Sequence, residues 1–61
     1  PFKERKVYDL LTKIYKLKLL KKNGVLIIHR HKKEKDQFPE TFKIIKETNY
    51  GISKIIFLVI V

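Results

Sequence analysis

The sequence predicts a mixed α/β unit in which one helix precedes three strands. Val7, Leu10, Leu11, Ile14 and Leu17 recur at steps of three and four, which draws one apolar stripe along a helix. Val25-Leu26-Ile27-Ile28 is a short continuous apolar run behind the turn signal Asn23-Gly24. Two further runs rich in β-branched and aromatic residues lie on either side of Gly51.

The elements follow in order. The helix is placed at 4–18, with Lys6, Asp9, Lys13 and Lys16 on its polar faces and Tyr8 and Tyr15 flanking the stripe. Lys18, Lys21 and Lys22 suit the negative end of its dipole, and its end falls between Leu17 and Lys22. The first strand is placed at 25–30, where length and β-branching favour a strand buried on both faces. His29-Arg30-His31 carries it into polar territory at its carboxyl end. Lys32 to Gln37 is charged and aperiodic, hence a solvated loop, and Phe38-Pro39 punctuates it. Strands at 42–49 and 52–60 form an antiparallel hairpin about Gly51.

Composition narrows the function classes. The 61 residues carry 15 Lys plus Arg against 6 Asp plus Glu, a net charge of +9, which points to an anionic partner such as nucleic acid. All the basic residues except Arg5 and Arg30 are lysine, so a Lys-rich compositional background is the competing explanation. There is no cysteine, which excludes a disulfide scaffold and a thiolate metal site and fits a cytoplasmic setting. The apolar run from Ile55 to Val61 is far shorter than the roughly 20 residues of a membrane-spanning helix, so no membrane role is expected.

The pattern also carries a deficit. One helix covers one face of a three-stranded sheet, while the first and last strands read as apolar on both faces. A second copy, a partner or a further part of the same protein must cover the other face. The chain therefore reads as a single incomplete domain spanning 1–61.

Four stretches in order carry a resemblance: Pro1-Phe2, Leu19-Leu20-Lys21-Lys22-Asn23-Gly24-Val25-Leu26-Ile27-Ile28, Phe38-Pro39-Glu40-Thr41-Phe42, and Tyr50-Gly51-Ile52-Ser53-Lys54. Together they resemble the C-terminal part of the small-subunit ribosomal RNA guanine-N2 methyltransferases, a class I, Rossmann-like family. The resemblance implies a bacterial, cytoplasmic, S-adenosylmethionine-dependent rRNA modification activity and a partial Rossmann-like sheet. It makes Pro1 and Phe2 the remnant of an Asp-Pro-Pro-Phe catalytic motif, with Phe2 stacking on a target base taken out of its stack. The acidic residue of that motif and the glycine-rich cofactor loop have no counterpart here, since Gly24 and Gly51 both read as turns. No cofactor is expected to bind this chain alone, and the segment is expected to be inactive by itself. Ribosomal RNA is the implied partner, together with an N-terminal half or a homo-oligomer over the open face. The alternative is a small, non-enzymatic basic RNA-binding protein, or a remnant, that self-associates.

Residue chemistry adds candidates for RNA contact. Lys3, Arg5 and Lys6 place cations at a helix start, where they disfavour the helix but suit phosphate. His29, Arg30, His31, Lys32 and Lys33 lie at the carboxyl end of a strand, where ligands bind in open α/β sheets. The competing reading is the Lys-rich background for the first group and a solvated loop for the second. His29 and His31 share a strand face, but two imidazoles are too few for a closed zinc site, and no metal is expected. Ser53 is the only serine and has no base beside it, so nothing suggests a hydrolase.

Overall fold

The computed structural model describes residues 5–61. Helix α1 spans Lys6–Lys16, and strands β1, β2 and β3 span Leu26–His31, Phe42–Tyr50 and Ser53–Ile60. The sheet order is β1-β3-β2, and β3 is antiparallel to both neighbours. The two outer strands therefore run in the same direction. The expected element order and terminal hairpin are present, with boundaries shifted. The helix stops at Lys16, β1 is displaced by one residue, and Ile52 lies in the turn rather than in β3.

Each boundary has a local cause. Lys18 takes a positive φ of 55°, its N–H donates to Tyr15 O at 3.2 Å, and the Leu19 N–H donates to Ile14 O at 3.0 Å. These two bonds form a Schellman cap, which usually has glycine at the position Lys18 holds. A lysine there is strained by its Cβ, and it leaves the helix end without the residue that normally marks it. Lys18→Gly is expected to raise stability by about 0.5–1 kcal/mol, read as a higher midpoint in thermal or urea unfolding. At the hairpin, Tyr50 pairs with Ser53 and Gly51 has φ 55°. A two-residue loop with positive φ at its first position only is a type II′ turn.

The imperfect alternation of 42–49 also has a structural reason. Ile44 pairs with Leu58 and Lys46 with Phe57, so Ile45 is the extra residue of a β-bulge. The bulge reverses the phase of the strand. Phe42 and Ile44 share the face of Leu58, whereas Lys46 and Thr48 share that of Phe57 and Ile55.

Helix α1 packs on one sheet face. Val7 and Leu11 meet Phe42, Ile56 and Leu58 in the core, and Ile14, Leu20, Leu26, Ile28, Phe38 and Ile60 pack around them. Leu11 and Leu58 are fully buried. Gly24 fits against this layer: a Cβ there would lie 2.7 Å from Leu20 Cδ1. The expectation that β1 is buried on both faces is corrected. Its residues alternate, and Ile27 is 57% exposed, because α1 covers only the side of Leu26 and Ile28. No helix among the described residues is long and apolar enough to cross a membrane.

Candidate nucleic-acid interface

Because α1 runs back across the sheet, its first turn comes to the carboxyl end of β1. An open cleft of about 900 Å³ lies there, lined from the helix by Arg5, Lys6, Val7 and Tyr8 and from the strand end by His29, Arg30 and His31. Lys33, Glu34, Lys35, Asp36 and Gln37 of the following loop complete it. Two groups of basic residues that are 23 or more positions apart in sequence thus share one wall of the molecule.

The helix start contributes more than side chains. Asp9 N–H donates to Arg5 O at 2.8 Å, the first bond of the helical ladder. The N–H groups of Val7 and Tyr8 precede it, and helix geometry offers them no acceptor within the helix. Arg5 occupies the N-cap position and makes no side-chain cap bond. A Ser, Thr, Asp or Asn would be better for the helix there. Instead, the Arg5 guanidinium lies 4.0 Å from the centroid of the Tyr8 ring, which holds the cation near the cleft.

The loop side is organised around Arg30. Its Nε donates to Asp36 Oδ2 at 2.8 Å and its Nη2 to Asp36 Oδ1 at 2.9 Å, a bidentate pair, with a longer 3.3 Å bond from Nη2 to Glu34 Oε1. The hydrogen bonds to Asp36 raise the pKa of Arg30 above its usual value, with burial acting against them and the charges of Asp36 and Glu34 adding to them. The Asp36 side chain is only 12% exposed, so this pair is worth more than the roughly 0–1 kcal/mol of a surface ion pair. Lys54 Nζ donates to Glu34 O at 2.6 Å, and Lys32 N–H donates to Ile52 O at 2.8 Å, tying the loop to the hairpin. Asp36→Ala is expected to cost about 1–2 kcal/mol and to speed amide exchange in 32–37 without altering exchange in β3. Unchanged loop protection in that variant would show that the pair does not hold the loop.

His31 Nδ1 accepts from Lys33 N–H at 3.1 Å. That bond requires an unprotonated Nδ1, so in the neutral ring Nε2 carries the proton and is a donor, the polarity a phosphate oxygen needs. The cleft therefore combines five cationic side chains, an imidazole donor and helix N–H groups, while its two carboxylates, Glu34 and Asp36, are turned onto Arg30.

Of the residues singled out from the sequence, Arg5, Lys6, His29, Arg30, His31 and Lys33 line this cleft together. Lys32 lies beside it in the turn and does not line it. Pro1, Phe2 and Lys3 lie outside the described residues. Lys35, Tyr8 and Gln37 join the site unforeseen. Lys35 sits in a charged run that gives no periodicity to read, but the Arg5–Tyr8 spacing of three is a helical contact and could have been noticed. No group of three or more potential metal ligands occurs among the described residues. Gly24 packs on Leu20 and Gly51 turns the hairpin, so among the described residues neither glycine belongs to a glycine-rich loop of the kind the resemblance implies for S-adenosylmethionine.

Neither a family model, nor a curated protein, nor a solved structure matches the chain.

Proposed function

We propose that this chain is an RNA-contacting segment of an S-adenosylmethionine-dependent rRNA guanine-N2 methyltransferase, and that the RNA backbone lies in the cleft between α1 and β1. The observation that carries the RNA reading is the convergence of Arg5, Lys6, His31 and Lys33 with the first turn of α1 on one cleft. Phosphate oxygens accept from cationic side chains, an imidazole N–H and helix N–H groups at once. The helix start without a side-chain cap supports the same reading, because a local rule of helix stability is broken where an anion would make use of it. The methyltransferase part rests on the sequence resemblance and on the element order of helix, Gly-initiated strand and Gly-turned hairpin. On this reading the segment binds and orients RNA, and the rest of the enzyme supplies the cofactor.

A second reading, a stand-alone basic RNA-binding protein, rests on the same cleft and needs no cofactor-binding half. Two assays separate them. The chain alone should retain a single-stranded, guanine-containing oligoribonucleotide on a filter, with affinity falling as salt rises. Joined to the cofactor-binding half of a guanine-N2 methyltransferase, it should support transfer of a labelled methyl group to guanine. RNA retention without transfer by the joined protein selects the stand-alone reading. Absence of salt-dependent retention contradicts both.

A further inference from the structure

The sheet face opposite α1 is an ordered surface of its own. Four cross-strand rows build it: Val59 beside Lys43, then Ile27, Phe57 and Lys46, then His29, Ile55 and Thr48, then His31, Ser53 and Tyr50. The apolar side chains occupy the β1 and β3 side, and the lysines form a border along β2. Lys46 Nζ lies 5.6 Å from the Phe57 ring centroid, so the border is in contact with the apolar stripe. None of these positions is acidic: Glu47, the only carboxylate of β2, pairs with Ile56 and shares the helix-covered side.

We propose that this face docks an amphipathic α-helix of a partner protein, one with an aliphatic stripe and carboxylates along one flank. The shape argument comes from the other face, where a single helix of 11 residues buries Leu11, Ile56 and Leu58 completely or nearly so. Three strands spaced about 4.8 Å apart are as wide as one helix of roughly 10 Å diameter. The charge argument selects the partner. A second copy of this chain would bring another lysine-bordered face, or the lysine-rich exterior of α1, against Lys43 and Lys46, and each copy carries +9. A carboxylate flank pairs with that border instead. RNA is the competing occupant, because this face holds two rings, Phe57 and Tyr50, but the row of His29, Ile55 and Thr48 separates them, and the aliphatic neighbours of Phe57, Ile27, Ile55 and Val59, suit the aliphatic stripe of a helix better than a run of stacked bases.

The test uses the 61-residue chain and a synthetic helical peptide with Leu at core positions and Glu along one flank, beside the same peptide with Lys for Glu. The acidic peptide should bind saturably, shift the amide resonances of Ile27, Ile55 and Phe57, and exceed the Lys peptide in affinity by at least about tenfold. Lys43→Glu with Lys46→Glu should invert that preference, and Phe57→Glu should abolish binding. Should Phe57→Glu fail to fold, the charge inversion at the two exposed lysines still decides. Equal binding of both peptides, or no shift on this face, overturns the proposal. So does concentration-dependent dimerisation through Ile27 and Phe57, or displacement of the peptide by an oligoribonucleotide that shifts the same residues.

Discussion

Leu11→Ala is expected to destabilise the protein by roughly 3 kcal/mol or more, the largest loss among single substitutions in α1. Leu11 is the one fully buried side chain that α1 contributes, and it sits among Val7, Phe42, Ile56 and Leu58. Truncating such a leucine costs roughly 3 kcal/mol or more, the sum of lost transfer energy and a residual cavity. A 61-residue domain has a total stability of roughly 3–9 kcal/mol, so this one change removes a third of it or all of it. Alanine is a good helix former, so lost packing rather than propensity is the cause. The neighbouring variant Leu10→Ala is the control. Leu10 is half-exposed on the outer side of α1, and its truncation is expected to stay within about 0.5 kcal/mol. Denaturant unfolding of the two variants checks both values. Similar losses at 10 and 11 would mean that α1 does not sit on the sheet by its Val7–Leu11 side.

The second large effect concerns the cleft. Arg5→Glu combined with Lys33→Glu is expected to weaken binding of a single-stranded oligoribonucleotide by about 100-fold at low salt. That corresponds to two charge-assisted hydrogen bonds of roughly 1.5 kcal/mol each. The slope of log affinity against log salt should fall by about 1.4, because each phosphate that is no longer neutralised reduces it by about 0.7. Stability should hold or rise, because a carboxylate near the start of α1 suits the helix dipole better than a guanidinium. Weaker RNA binding in a protein that is no less stable shows that the RNA site, and not the fold, has been damaged. A variant that binds as well as the parent would place the RNA elsewhere, for example on Lys18, Lys21 and Lys22 at the far end of α1.

Much of this architecture was legible because it rests on periodicity. Of the stripe Val7, Leu10, Leu11, Ile14 and Leu17, the structure turns Val7, Leu11 and Ile14 to the sheet and leaves Leu10 and Leu17 exposed, while Gly51 located the hairpin. That the second sheet face carries apolar residues was legible in the run Val25 to Ile28, but the burial on both faces expected from it was not, since Ile27 is 57% exposed. Three features were not legible, each for a physical reason. The helix end at Lys18 uses a lysine in a left-handed conformation that composition does not signal. The bulge at Ile45 shifts strand phase through a single extra residue, which in sequence looks like weak alternation. The Arg30–Asp36 pair joins a strand to a loop that has no period to follow. The cleft was foreseen in parts, as one basic group near residue 5 and another near residue 31. Their union is tertiary, set by the direction in which α1 crosses the sheet.

Amide chemical-shift mapping of the chain titrated with a single-stranded, guanine-containing oligoribonucleotide tests the central claim most directly. The cleft accounts for RNA contact if the largest shifts fall at Lys6, Val7, Tyr8, His31, Lys33 and Lys35, with Ile27 and Phe57 unmoved and the shifts reversed by added salt. Shifts confined to Lys18, Lys21 and Lys22, or spread evenly over all the lysines, would contradict it and leave the +9 charge as a property of composition alone.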